Sequence, residues 1–297
     1  MAAGSGRVGP YGGNRWGVTA PQDSTPQDRT ADDRAAALDP DDPDDAQDIE
    51  FDLVASWTED AVRELGPEHA IPAGCRGSGS PADLAWLAEA MAVGPGTRVV
   101  DVGSGVGGPA AWLAERYGAT PVCVEPMRGA AAAGRRLFGL PTAVADAAAL
   151  PLATGSADAV TCLGVLCTIP AADRPGVAAE LRRVLRPEGD LGLLVFVADA
   201  SRGPMPDGPA GNDFPTEDAL VALLDGAGFA VVQRVVSDGL AQAPRAWQER
   251  ADAVEDVLAR RHGDDPRFRR AQEQSARIGR LIGDGYVRPL LVHARVA

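Results

Sequence analysis

The chain has 297 residues, 45% of them apolar, which is enough for one large hydrophobic core or for one core with additions. Its 42 acidic residues outnumber its 28 basic ones, and the net charge of −14 argues against a nucleic-acid partner, because phosphate binding needs a basic surface. There is no uncharged apolar run of about 18 residues and no secretory-signal pattern at the start, so we expect no membrane span and a cytoplasmic location.

The first part of the chain differs in composition from the rest. The stretch DPDDPDDAQD at 39–48 is acidic, is interrupted by proline and has no apolar period. Such a segment cannot bury enough apolar surface to offset the entropy lost on ordering. We therefore predict that residues 1–48 form a disordered acidic tail.

Residues 49–80 are predicted to form an N-terminal helical cap. In IEFDLVASWTEDAVRELG, apolar residues recur at helical intervals, and Ser56 and Glu59 have the spacing of a capping box. Gly66 ends this helix, and a loop rich in glycine and serine follows. Pro81 then begins an amphipathic helix that opens the main domain.

From residue 81 to residue 297, short apolar segments alternate with helical patterns. Strands are predicted in TRVVDVG, TPVCVE, PTAVAD, ADAVTCLGVL, DLGLLVFVAD, AVVQRVV and YVRPLLVHARV. This alternation predicts an α/β, Rossmann-like, doubly wound domain with a mostly parallel seven-stranded sheet and helices on both faces. Two charged amphipathic helices at about 243–283 predict a helical insertion before the last strand.

The loop after the first predicted strand is crowded with glycine. Gly103, Gly105 and Gly108 fit the pattern G-x-G-x-x-G, in which glycine allows a tight turn and lets a ligand touch the backbone. In doubly wound sheets, ligands bind beyond the carboxyl ends of the strands. The pattern thus predicts a cofactor site, although by itself it also fits a nicotinamide or flavin site.

Acidic residues lie at the ends of three predicted strands. Asp101 precedes the glycine loop, where a carboxylate disfavours a phosphate and tolerates a ligand that is cationic or rich in hydrogen-bond donors. Glu125 can accept hydrogen bonds from both hydroxyls of a ribose, and Asp146 can face an adenine amine. We therefore expect three carboxylates around one pocket.

The segments VVDVGSGVGG, VCVEPM, ADAAALPLATGSADAVTCLGVL and LRRVLRPEGDLGLLVFV resemble, in this order, the motifs of class I S-adenosylmethionine-dependent methyltransferases. The resemblance is greatest to the small-molecule branch with ubiquinone- and sarcosine-methyltransferase-type domains, and is strongest over about residues 80–200. It implies S-adenosyl-L-methionine as the cofactor and methyl transfer to a small molecule. A metal is not expected, because LGVLCTIP lacks the acidic and amide cluster of the metal-dependent catechol-type enzymes.

The resemblance also implies which residues contact the cofactor. The acid of the first strand and the glycine backbone would hold its methionine part, and the acid of the second strand would bind its ribose. Met127 would pack against the adenine, and residues after the third and fourth strands would bind the adenine amine and line the channel to the methyl group. The expected set is Asp101, Gly103, Ser104, Gly105, Gly107, Glu125, Pro126, Met127, Asp146, Ala147, Leu163 and Gly164.

Other candidates come from residue type and position alone. Arg76, in the loop GCRGSG, can clamp the cofactor carboxylate or an acidic substrate, or it can be an ordinary solvated arginine. His69 is a weak candidate for a general base and can equally be a loop histidine. We expect His262 to serve a helix terminus and His293 to lie in the core or on the surface, so no base is assigned.

Several functions fit these patterns. The leading hypothesis is methyl transfer to a small molecule in bacterial secondary metabolism, and the second is an enzyme that uses the bound cofactor without transfer, for a cyclisation or rearrangement. Asp101 disfavours a nicotinamide-dependent oxidoreductase, and the absence of lysine excludes a Tyr-Lys catalytic pair. A non-enzymatic binding module is a further alternative, against which the intact Gly103 and Glu125 argue. The substrate, the acceptor atom and a homodimer are left open.

Overall fold

The computed structural model describes residues 49–206, 208–209 and 211–297, so the tail predicted at 1–48 lies outside the described residues. The strands are β1 (Arg98–Val102), β2 (Thr120–Val124), β3 (Thr142–Ala143), β4 (Ala157–Leu163), β5 (Leu185–Ala198), β6 (Phe229–Val236) and β7 (Val287–Val296). The helices are α1 (Val54–Leu65), α2 (Ala70–Gly74), α3 (Pro81–Ala90), α4 (Gly108–Tyr117), α5 (Arg128–Phe138), α6 (Arg174–Val184), α7 (Glu217–Gly226), α8 (Arg245–His262) and α9 (Pro266–Gly283).

The strands form one sheet in the order β3-β2-β1-β4-β5-β7-β6. β1 pairs in parallel with β2 and β4, and β4 pairs in parallel with β5, whereas β7 is antiparallel to both of its neighbours. The predicted mostly parallel, seven-stranded, Rossmann-like sheet is confirmed. Because the chain moves outward from β1 in one direction and from β4 in the other, these two strands form the switch point at which doubly wound sheets bind ligands.

Apolar side chains cover both faces of the sheet, as expected for strands that are hydrophobic along their whole length. On one face, α6 and α7 contribute Leu181 and Leu220 to a buried cluster with the strands. On the other face, α3 and α4 contribute Leu87 and Leu113. The helix α3 begins with a capping box in which the Ser80 hydroxyl accepts from the backbone N–H of its third residue.

The third strand is shorter than predicted. PTAVAD is extended only at Thr142 and Ala143, where it pairs with β2. As the edge strand of the sheet, β3 has a hydrogen-bonding neighbour on one side alone, so the pairing stops where β2 stops. The fourth strand also ends early, at Leu163, because Gly164 turns the backbone with a φ of +77°.

The predicted capping box at Ser56 and Glu59 is wrong. Residues 49–53 form a turn of π-helix that continues directly into α1, so Ser56 lies inside the helix and its hydroxyl donates to the carbonyl of Asp52. Glu59 is buried and forms an ion pair with Arg136 on α5. Tertiary packing sets the start of α1, because Ile49 and Leu53 are buried and their segment contacts α5 and α9.

Two segments that are far apart in the chain form one helical layer. The predicted cap supplies α1 and α2, and the predicted insertion is observed as α8 and α9. Val62 of α1, Leu258 of α8 and Phe268 of α9 belong to a single buried cluster. Cap and insertion therefore share a core with each other.

Within the described ranges, no helix combines the length and the apolar character needed to cross a membrane.

Candidate functional site

The loop between β1 and α4 is approached closely by its neighbours. Gly103 has a backbone φ of +67°, a value that residues with a side chain rarely adopt. A Cβ built there would lie 2.3 Å from a methyl group of Val165. A Cβ on Gly108 would lie 2.2 Å from the carbonyl carbon of Gly74 in α2. The absence of side chains at these glycines therefore has two consequences. It exposes the backbone at the strand tips, and it lets the cap pack against the start of α4.

Asp101 carries a buried carboxylate with an unused oxygen. Its Oδ1 accepts a hydrogen bond of 2.8 Å from the hydroxyl of Thr161 on β4. Its Oδ2 is buried, and no donor among the described residues reaches it. Burial raises the pKa of Asp101 to about 6, against the opposing hydrogen bond from Thr161. A buried acceptor without a donor is costly, so a ligand with a cationic or N–H group would stabilise this site.

Glu125, directly after β2, holds the glycine loop in place. Its Oε2 accepts from the backbone N–H of Gly105 at 2.7 Å, and its Oε1 accepts from the N–H of Met127 at 3.0 Å. Burial raises the pKa of Glu125 to about 7; these two hydrogen bonds lower it, and the nearby Asp101 and Asp52 raise it further. Each oxygen still has a lone pair, so the carboxylate can accept two more hydrogen bonds, as a ribose diol would supply.

The structure brings some of the predicted residues together but not all of them. Asp101 and Glu125 are buried close to each other, and Glu125 binds the backbone of the half-buried Gly105. Ser104 is buried beside the thiol of Cys123. Asp146 is exposed and accepts from the N–H of Ala148, two residues further along.

The remaining predicted contacts differ in exposure. Pro126 is exposed, Met127 and Ala147 are half-buried, and Leu163 is buried at the tip of β4. At Gly164 a Cβ would lie 2.6 Å from the carbonyl oxygen of Gly77, so the loop after α2 covers this end of the site. Gly107 precedes α4 with a left-handed backbone.

Arg76 is bound to the helical layer. Its Nη1 lies 2.9 Å from Glu255 Oε1 on α8, and its Nη2 donates to the hydroxyl of Ser275 on α9 at 3.1 Å. The side chain therefore ties the loop after α2 to the insertion. A role as a cofactor clamp stays a prediction.

The three histidines lie in different surroundings. The Nδ1 of His69 is 3.3 Å from the carbonyl of Gly66, within a short turn before α2. His262 ends α8 and stacks on Trp57 with ring centroids 3.9 Å apart. His293 is buried on β7, with its Nε2 2.7 Å from Asp190 Oδ1. None of these contacts involves Asp101 or Glu125, so the structure adds no support for a histidine base.

Asp52 is a site neighbour that sequence reasoning missed. Its Oδ1 accepts a 3.0 Å hydrogen bond from the N–H of Ala130 in the first turn of α5. Its sequence position gives no signal of this contact, because Asp52 precedes α1 and the helix that it caps is α5.

The polar side chains at the strand tips are buried, whereas a Cβ built on Gly105 in the glycine loop would meet open space. Asp101 is 1% exposed, and Ser104 and Glu125 are each 5% exposed. Two surface cavities lie elsewhere: one of about 510 Å³ beside Glu59 and Leu137, and one of about 620 Å³ beside Asp218 and Phe229. In the part of the chain that is described, no group of three His, Cys, Asp or Glu side chains is arranged to hold a metal ion.

Known proteins resemble this chain in sequence and in fold. Residues 100–193 match the family described as a methyltransferase domain. Over 128 residues the chain is 39% identical to the methyltransferase GfsG of Streptomyces halstedii, an alignment that covers 41% of this chain and 44% of GfsG. The solved structure of the 4+2 cyclase SpnF matches with a TM-score of 0.60 at 21% identity, covering 80% of this chain and 92% of SpnF.

A second solved structure contains a cofactor product. Geranyl diphosphate C-methyltransferase from Streptomyces coelicolor A3(2), in complex with Mg²⁺, geranyl-S-thiolodiphosphate and S-adenosyl-L-homocysteine, matches with a TM-score of 0.52 at 14% identity and covers 72% of this chain and 75% of that one. The chain spans about half the length of the curated relatives that it matches, 44% and 57% for the first two.

Proposed function

We propose that the chain, whose residues 100–193 match a methyltransferase domain, is a class I S-adenosylmethionine-dependent methyltransferase and transfers the methyl group of this cofactor to a small-molecule acceptor. The observation that carries the proposal is the pair of buried carboxylates at the strand tips. Asp101 has an oxygen without a donor, and Glu125 has unused acceptor capacity beside the glycine loop.

In this proposal, the residues of the site bind and orient the cofactor. Glu125 accepts from the two ribose hydroxyls, Asp101 faces the cationic amino-acid end together with the bare backbone of the loop, and Met127 packs against the adenine. When bound, S-adenosylmethionine supplies an electrophilic methyl group on a sulfonium. Alignment of donor and acceptor can contribute on the order of 7–11 kcal/mol to catalysis.

The acceptor is proposed by class only. We expect a small organic molecule of bacterial secondary metabolism. The geranyl diphosphate C-methyltransferase among the structural neighbours supports a small organic acceptor. The net charge of −14 supports a partner other than nucleic acid.

Cofactor binding tests the premise of this proposal. We expect calorimetry to give micromolar affinity for S-adenosylmethionine, about −8 kcal/mol, and no heat with NADH under the same conditions. Incubation with a small-molecule extract and methyl-labelled cofactor should give a labelled product and S-adenosylhomocysteine. Absence of binding by both the cofactor and its product would contradict the proposal.

A second candidate function is a cyclisation with the cofactor bound and no methyl transferred. The observation that favours it is the match to the cyclase SpnF, which extends over 92% of that chain. Product mass separates the two candidates: transfer adds one methylene unit and releases S-adenosylhomocysteine, whereas cyclisation gives an isomer of the substrate and leaves the cofactor intact.

A further inference from the structure

The N-terminal segment 49–53 is packed into the fold beside the cofactor site. Ile49 is fully buried, and Leu53 is buried next to the start of α1. The segment contacts α9 of the insertion on one side and α5 on the other. It thus joins the helical layer to the helix that follows Glu125.

Asp52 caps the helix α5 from this segment. The residue before α5, Met127, provides no side-chain cap of its own. The carboxylate of Asp52 instead accepts the N–H of Ala130 at 3.0 Å and takes the place that the N-cap side chain of a helix ordinarily fills. Its negative charge also lies at the positive end of the helix dipole.

Gly129 makes this contact possible. A Cβ built on Gly129 would lie 2.6 Å from Asp52 Oδ1 and 3.0 Å from the hydroxyl of Ser56. The first distance is too short for a real Cβ and the second is unusually tight, so the absence of a Cβ lets the segment pack directly on the first turn of α5.

Glu125 lies just before this turn, directly after β2. Its carboxylate accepts the N–H of Met127, three residues before the N–H that Asp52 accepts. Residues 125–130 are therefore held by two carboxylates, one from the end of β2 and one from the cap. A shift of this turn changes both the position of Glu125 and the seat of the N-terminal segment.

From this juxtaposition we infer that Asp52 is a positioning residue that docks the N-terminal segment onto the turn 125–130 and so couples closure of the cap to cofactor affinity. The inference rests on the proposed function for the identity of the cofactor. Asp52 acts through the backbone of α5 and through Glu125, without contact to the reacting atoms.

Calorimetry with S-adenosylhomocysteine and hydrogen exchange of residues 49–65 test this inference. For Asp52→Ala we expect the Kd to rise about five- to tenfold, as loss of an N-cap predicts, with faster exchange in 49–65. Asp52→Asn keeps an acceptor oxygen and should stay within about twofold of the parent in Kd. The control is Thr216→Ala, which removes the N-cap of α7 and should change neither readout.

Gly129→Ala provides an independent test with Asp52 intact. The added methyl should displace the carboxylate, so this variant should reproduce the weaker binding and the faster exchange even if Asp52→Ala fails to fold. The inference is overturned if the parent binds S-adenosylhomocysteine and Gly129→Ala, or a folded Asp52→Ala, matches it in both readouts. A parent that binds neither S-adenosylmethionine nor S-adenosylhomocysteine overturns the proposed function and the coupling with it.

Discussion

Glu125 is a carboxylate whose protonation depends on the fold around it. Burial raises its pKa from 4.5 to about 7, although two backbone N–H groups favour its ionised form. A carboxylic acid with a raised pKa binds more protons in the folded state than in the unfolded state. Its contribution to stability is therefore largest below about pH 4 and is lost as the pH rises toward 7.

Cofactor binding should show the opposite pH dependence. Ribose hydroxyls donate to the ionised carboxylate, so affinity for S-adenosylhomocysteine should increase by about tenfold from about pH 6 to about pH 8, as Glu125 loses its proton. Calorimetry across this range measures the effect. In Glu125→Gln, which cannot ionise, the dependence should be much flatter; an equally steep profile in that variant would exclude Glu125 as its source.

The buried charge of Asp101 should lower the stability of the cofactor-free protein and strengthen cofactor binding. Asp101→Asn keeps the acceptor for Thr161 and removes a buried charge, so the cofactor-free protein should gain about 1–3 kcal/mol of unfolding free energy near pH 8. The same change should weaken cofactor binding about tenfold, because a charge-assisted contact is lost. Denaturant unfolding and calorimetry measure the two effects.

Asp158 provides the matched control for Asp101. Its carboxylate forms ion pairs with Arg98 and Arg186, and these pairs lower its pKa. Asp158→Asn should therefore reduce stability and leave cofactor affinity unchanged. If Asp101→Asn destabilises the protein as Asp158→Asn does, the picture of an unused buried charge at the strand tip is wrong.

At the scale of elements, the main feature is the layer that α1 forms with α8 and α9. Trp57 on α1 stacks on His262 of α8, and the guanidinium of Arg267 on α9 lies 5.9 Å from the centre of the Trp57 ring. Arg76 adds a polar tie from the loop after α2 to Glu255. The helices of this layer and the loop after α2 are therefore held to one another by contacts across large distances in sequence.

A comparison of Arg76→Ala with Glu255→Gln separates two roles of the arginine. If Arg76 only ties the loop to α8, both variants should give the same small change in cofactor Kd, about twofold or less, because half-exposed ion pairs contribute little. If Arg76 binds the cofactor carboxylate, only Arg76→Ala should weaken binding, by about tenfold or more. Calorimetry with S-adenosylmethionine decides between these outcomes.

At the scale of the whole molecule, the loop after α2 covers one end of the site at Gly164, and we expect this cover to control entry. Cofactor entry should be limited by opening of the cap, so the observed association rate should reach a plateau as the cofactor concentration increases. Stopped-flow fluorescence of the tryptophans measures this rate, and Asp52→Ala should raise the plateau. A rate that increases linearly at every accessible concentration would indicate a site that is already open.

The architecture follows from patterns that are local in sequence. Alternation of apolar strands with amphipathic helices predicted the order of elements and the mostly parallel sheet, because each element must bury its own apolar face. The glycine loop and the acids Asp101 and Glu125 lie beside each other because parallel strands end at one edge of a sheet. Their contacts with the cofactor stay predictions.

The sequence by itself thus determined the sheet, the glycine loop and the carboxylates at its edge. Only the tertiary structure decided that α1 starts before Ser56, that Asp52 caps α5 and that Arg76 binds the insertion. Each of these contacts joins segments whose separation in the chain carries no periodic signal, and each depends on how the helical layer packs. A local sequence pattern indicates which face one element buries. It does not indicate which distant elements pack against each other, and the contacts of the helical layer depend on that packing.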